Sequence, residues 1–144
     1  MATGSFQPHS CNTEIALFKV NASTAIAEGD AVTYAVSTGL ITAAADSCTT
    51  GIIGIAAASG AVSTFIPVYL NGIFRGTASA NLAPGAVAYI AGSAGAQTLD
   101  AGSMSDVSVG VVVNTDPAAT GDIFFRLQRS RVTANTIDTP VTHA

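Results

Sequence analysis

The chain has 144 residues, 49% of them hydrophobic and only 10% charged, with no tryptophan. That length amounts to one domain, and the charge content lies far below the ~25% usual for soluble domains. Five Lys and Arg against nine Asp and Glu leave a net charge of −4, which excludes the basic footprint that phosphate backbones require.

A surface so poor in charge suits a protein covered by neighbours. A chain of this size buries enough of itself to fold without a metal or a disulfide. No basic residue precedes Lys19 and no apolar run follows Met1, so no secretory leader is expected. The longest apolar stretch, Ile52 to Val62, is broken by Gly54, Ser59 and Gly60 and falls short of the ~20 residues of a membrane span. The reading is therefore cytosolic synthesis, with Cys11 and Cys48 as free thiols.

Residues 1–13 are polar, include Pro8, and read as an N-terminal arm. From there the hydrophobic pattern has period two, and helical spacing is nearly missing. Strands are expected at Glu14–Val20, Ala31–Val36, Leu40–Ala43, Ile52–Ala57, Phe65–Leu70, Ile73–Thr77, Ala86–Ala91, Gln97–Leu99, Val107–Val113 and Asp122–Gln128, each a β-branched or aromatic run between turn residues. In the last of them Ile123, Phe125 and Leu127 share a face and Arg126 points the other way. Ser37–Gly39 and Asn71–Gly72 are expected turns, the second a strong hairpin signal because both residues tolerate positive φ. Residues 129–144 hold Ser, Thr, Asn and Pro140 and read as a C-terminal tail. The expected fold is all-β: a compact barrel or sandwich of short strands over residues 14–128, flanked by two extended arms.

A degenerate internal repeat runs through this core. Gly29-Asp30-Ala31-Val32-Thr33-Tyr34 resembles Pro84-Gly85-Ala86-Val87-Ala88-Tyr89, and Ile53-Gly54-Ile55 resembles Val109-Gly110-Val111. The expectation is two similar β units, with Tyr34 matching Tyr89 and Gly54 matching Gly110. Two copies are too few for a solenoid.

Chemistry is hard to find. The carboxylates are scattered, most of them in turn contexts such as Glu28-Gly29-Asp30, where Asp caps local backbone. There is no Gly-x-Ser-x-Gly elbow, no His-Glu-x-x-His and no P-loop. The two histidines, His9 and His143, lie in the arms, and a general base must be held rigidly against its nucleophile. His9 and Cys11 have no further ligands to complete a zinc site. No enzymatic activity and no cofactor is expected. Arg126, Arg129 and Arg131 cluster where the tail begins. They read either as a solvated strand end that discourages wrong pairing or as an electrostatic contact with an acidic partner.

Taken in order, Ala27-Glu28-Gly29-Asp30-Ala31-Val32, Gly51-Ile52-Ile53-Gly54-Ile55-Ala56, Val68-Tyr69-Leu70-Asn71-Gly72-Ile73-Phe74, Pro84-Gly85-Ala86-Val87-Ala88-Tyr89, Val109-Gly110-Val111-Val112 and Phe125-Arg126-Leu127 resemble the capsid cement, or head decoration, proteins of tailed bacteriophages. The resemblance covers roughly residues 25–128. It implies a β-rich structural protein on the outer surface of the virion, a homotrimer made in the host cytoplasm, with the major capsid protein as partner. It implies no catalytic residue, no nucleic acid and no membrane. Under this reading Arg126, Arg129 and Arg131 are the candidate capsid contacts, and both arms are candidates for holding the capsid. The alternative is a β-sandwich binding module of fibre or adhesin type that recognises carbohydrate. Such a module calls for exposed aromatic side chains, and the chain has three Tyr and no Trp.

Overall fold

The structure is a computed structural model and describes residues 6–21, 24–35, 38–44, 51–78, 82–92, 95–101, 107–115 and 121–128. Among the described residues the alternation becomes eleven strands and no helix: β1 (Gln7–Ser10), β2 (Ile15–Lys19), β3 (Ala31–Tyr34), β4 (Ile41–Ala43), β5 (Ile52–Ala56), β6 (Phe65–Tyr69), β7 (Ile73–Thr77), β8 (Val87–Ala91), β9 (Thr98–Asp100), β10 (Ser108–Thr115) and β11 (Asp122–Leu127). Every strand expected from period two is present, and none of the ends differs by more than two residues. The addition is β1, inside the segment read as an arm. Its polar sequence carries no alternation, but Phe6 just before it is fully buried.

The strands form two antiparallel sheets, β1-β7-β11-β10-β8-β9 and β2-β6-β5-β3-β4. They lie together as a sandwich, and neither closes into a barrel. Each curls only until one parallel bridge joins its flanks, Val20 with Ile41 in the five-stranded sheet and Ala78 with Leu99 in the other.

Apart from β1, the two strand orders are the same order written twice. Replacing β2 to β6 by β7 to β11 in turn converts one sheet into the other. Registers follow suit. Ala31 faces Ile55 and Val32 faces Gly54, as Val87 faces Val111 and Ala88 faces Gly110. The irregularity recurs at the same place, where Thr33 meets Ile52 and Tyr89 meets Ser108. Each of these matches is an offset of 56, for example 110 − 54. Loop hydrogen bonds repeat as well: the Gly29 N–H donates to the Ala56 carbonyl at 2.9 Å and the Gly85 N–H to the Val112 carbonyl at 2.7 Å. Both glycines sit at φ near +90°, at 94° and 93°, a region closed to most side chains.

The repeat is therefore structural, and Gly54 and Gly110 are equivalent. Tyr34 and Tyr89 are not. They lie on equivalent strands one residue out of step, so Tyr89 matches Thr33 and Tyr34 matches Ile90. A one-residue slip turns a strand side chain to the opposite face, which a comparison of letters does not register.

The Asn71–Gly72 turn is also not a hairpin. Gly72 has φ 121° as a turn requires, but β6 pairs with β2 and β5 while β7 pairs with β1 and β11. The turn carries the chain from one sheet to the other. The Asn71 carboxamide oxygen anchors it by accepting the Thr13 and Glu14 N–H groups at 3.1 and 2.9 Å.

Two apolar clusters hold the molecule. One fills the concave side of the first repeat with Val20, Ile26, Val32, Ile41, Ala56, Ile66 and Val68. The other fills the second repeat and the seam between the two, and is richest around Phe6, Phe74 and Phe125. The Phe6 ring meets Phe125 edge-on at 5.3 Å, and Phe74 stacks on Phe125 at 5.9 Å. Each such ring contributes roughly 2–3 kcal/mol by leaving water.

Across the seam run two buried polar groups. Gln97 accepts the Ala31 N–H at 2.7 Å and donates to the Ala31 and Ala44 carbonyls at 3.0 and 2.7 Å. Asp30 accepts the Ala27 N–H at 3.1 Å, the local cap expected of it, and also the Gly95 N–H from the other repeat at 2.8 Å.

Candidate functional site

The outer face of each repeat carries one row of side chains across four strands. In the first the row is Ala31, Ile55, Tyr69, Ile15. In the second, at matching positions, it is Val87, Val111, Arg126, Ile73. The first row is largely consumed within the molecule: Ala31 and Ile55 are fully buried in the seam, and Tyr69 packs on Phe74 at 5.8 Å. The second row faces outward. Val87 is 42% exposed, Arg126 is exposed, and Val113 extends the apolar strip along β10. A face that one repeat buries against its neighbour is thus, among the described residues, left uncovered on the other.

A second apolar surface lies on β2 and β6, where Leu17 sits opposite Pro67 and Phe65 opposite Lys19. Leu17 and Phe65 are 67% and 65% exposed, and Ile15 beside them 50%. Side chains this large are usually covered when they gather on one sheet face.

Of the three arginines expected to act together, Arg126 stands in the middle of the outward row. Among the described residues it makes no ion pair. Arg129 and Arg131 lie outside the described residues. Next to Arg126 across the strands, Arg75 is engaged with Asp122 at 2.7 Å, and Asp122 also accepts the Thr77 hydroxyl at 3.1 Å. That pair is half-exposed and contributes little to stability.

A cleft of about 440 Å³ opens into the first repeat, lined by Glu14, Phe18, Tyr34, Gly51, Ile52, Ile53, Leu70 and Leu127. The lining mixes polar and apolar surface, and the Phe18 and Tyr34 rings stand 6.5 Å apart. Its one carboxylate, Glu14, has no second acid beside it in the lining. Elsewhere His9 lies against the Phe124 ring at 4.4 Å, held by β1, and Cys11 is an exposed thiol. Cys48 and His143 lie outside the described residues. Among the described residues no three His, Cys, Asp or Glu side chains gather as a metal site.

Reading the sequence for charge found Arg126 but passed over Val87, Leu17 and Phe65. The signal was present: β2, β6 and β8 carry apolar residues on both faces, more than one buried face needs. No family model, no curated protein and no solved structure matches the chain.

Proposed function

We propose that this is a structural virion protein of the cement class, which binds the outer surface of a bacteriophage capsid and stabilises it by bridging neighbouring major capsid subunits. The ordered motifs between Ala27 and Leu127 motivate this reading. The observation that carries it is the pair of apolar outer surfaces, Val87–Val111–Val113 around Arg126 and Ile15–Leu17–Phe65, on a chain only 10% charged. Cementing uses many modest contacts rather than one deep site, and copies bound across subunit junctions add through multivalency.

The outward row supports a homotrimer on the capsid. Its counterpart in the first repeat already serves as an interface, and a head-to-tail contact repeated among three copies closes into a ring. Arg126 supplies a cation for an acidic capsid surface, with Arg129 and Arg131 following it in sequence. The test is binding of the purified chain to undecorated heads, with cross-linking of the decorated particles. Saturable binding, raised resistance to heating and cross-linked species up to three subunits are expected. Absence of binding, or a ladder that stops at two, overturns the respective half of the reading.

A further inference from the structure

The described strands change sheets twice along the chain, at residues 11–14 between β1 and β2 and at residues 70–72 between β6 and β7. Asn71 joins the two crossings. Its carboxamide oxygen accepts the Thr13 and Glu14 N–H groups at 3.1 and 2.9 Å, and its nitrogen donates to the Thr13 hydroxyl at 3.2 Å. The backbone adds a further link, from the Leu70 N–H to the Glu14 carbonyl at 2.8 Å.

The next residue is enclosed as well. Gly72 is buried, and a Cβ there would run into the Asn12 side chain and the Cys11 carbonyl. Asn12 itself donates to the Ile73 carbonyl at 3.4 Å, and the Leu127 N–H donates to the Gly72 carbonyl at 2.9 Å. Residues far away in sequence thus hold the Asn71–Gly72 peptide in place.

An asparagine followed by glycine carries its own reaction, because no Cβ shields the glycine nitrogen from the neighbouring carboxamide. The Gly72 nitrogen, having lost its proton to solvent base, forms a bond to Asn71 Cγ. The Cγ–Nδ2 bond breaks, and that nitrogen takes a proton from water and leaves as ammonia, closing a five-membered succinimide. Water then opens the ring at either carbonyl. One product is aspartate at 71, and the other is isoaspartate, whose main chain runs through Cβ and Cγ and is one atom longer. Ring closure brings Cγ nearly eclipsed with the main-chain carbonyl carbon about the Cα–Cβ bond, a torsion outside the staggered wells. Turning the carboxamide into it pulls its oxygen and nitrogen away from residues 13 and 14.

We propose that Asn71 is a spontaneous deamidation site gated by the clasp it forms between the two crossings. With the clasp shut the reaction waits on local opening, and it runs freely once the crossings part. The two products differ in consequence. Aspartate keeps two acceptor oxygens for the Thr13 and Glu14 N–H groups. Isoaspartate displaces them by the extra main-chain atom, so the clasp does not re-form and the opening becomes permanent. This inference does not rest on the capsid reading.

The test incubates the full 144-residue chain at neutral pH, folded and in unfolding urea, and follows the one-dalton gain at residue 71 by peptide mass mapping. The folded chain is expected to react at least about tenfold more slowly than the unfolded one, since three hydrogen bonds oppose opening. Thr13→Ala, at an exposed position, removes the hydroxyl acceptor and is expected to raise the folded rate about threefold. The isoaspartate form, purified from the urea-aged sample and refolded, is expected to unfold at a lower denaturant midpoint than Asn71→Asp. Three results overturn the proposal: equal rates folded and unfolded, an unchanged folded rate in Thr13→Ala, or equal midpoints for the isoaspartate form and Asn71→Asp.

Discussion

Gly54 and Gly110, 56 positions apart, sit under neighbouring strands so closely that a Cβ on either would collide with a backbone carbonyl oxygen, that of Tyr69 in one case and of Arg126 in the other. Tyr69 and Arg126 are themselves equivalent, each paired with the residue that follows its glycine, Ile55 and Val111. The same steric demand has been met twice in one chain. Gly54→Ala and Gly110→Ala are expected to destabilise by similar amounts, about 2–4 kcal/mol each, because backbone rather than a side-chain tip must move. Urea unfolding of the two variants checks this. A loss below about 0.5 kcal/mol in either would mean that the strands part easily there.

Phe6 leads the short strand that sequence reading assigned to an arm. Phe6→Ala is expected to cost about 3–5 kcal/mol, the range for emptying a buried aromatic site. It leaves a cavity over Gly76, which has no side chain to fill it. Thermal unfolding of the variant, beside Gln7→Ala as a half-buried control, provides the measurement.

Gln97 spends its whole carboxamide on the seam between the repeats. Gln97→Ala strands the Ala31 N–H and the Ala44 carbonyl, and a loss of about 2–4 kcal/mol is expected. Gln97→Glu tests the same contacts through pH. A carboxylate there faces two carbonyl oxygens, so burial and repulsion raise the folded-state pKa above the unfolded value of ~4.3. A raised acid pKa means the unfolded state loses its proton first. The variant is therefore most stable below about pH 4 and loses stability as pH rises above it, relative to the parent chain. Denaturant midpoints between pH 4 and 8 read this directly, and a flat difference would show that water reaches the site.

Val87→Asp and Arg126→Glu address the outward row. Both positions are exposed, so the folded chain is expected to lose no more than about 0.5 kcal/mol. Trimer formation on heads is expected to fail for Val87→Asp, because a buried unpaired carboxylate opposes association. Binding of Arg126→Glu is expected to weaken most at low salt, where charge contacts are least screened. Sedimentation with undecorated heads at two ionic strengths separates the two effects.

Much of the fold was legible because strands announce themselves locally. Runs such as Val107–Val113 and Asp122–Leu127 alternate apolar and other residues, and β-branched side chains fit a pleated sheet whatever they pair with. The all-β class and the existence of a repeat follow from that pattern alone. β1 was not legible, since Gln7-Pro8-His9-Ser10 carries no alternation and forms only because β7 offers an edge and Phe6 a knob. The composition likewise pointed to a covered surface, but only the fold shows which apolar residues remain outside.

What tertiary structure alone decided is partnership and register. Identical turn chemistry at Asn71–Gly72 serves a hairpin or a crossing between sheets, and the choice depends on strands far away in sequence. Tyr34 and Tyr89 look alike in a string of letters but point to opposite faces, because side-chain direction depends on pairing with β5 and β10. The same holds for the outer rows. Ala31 and Ile55 are buried while Val87 and Val111 face outward, although local sequence treats them alike, because the first repeat buries this row in the seam and, among the described residues, no strand covers the row of the second. Local sequence sets the strands through short-range backbone and side-chain preferences. Which faces meet depends on contacts between residues far apart in the chain, and those exist only once the two repeats are folded together.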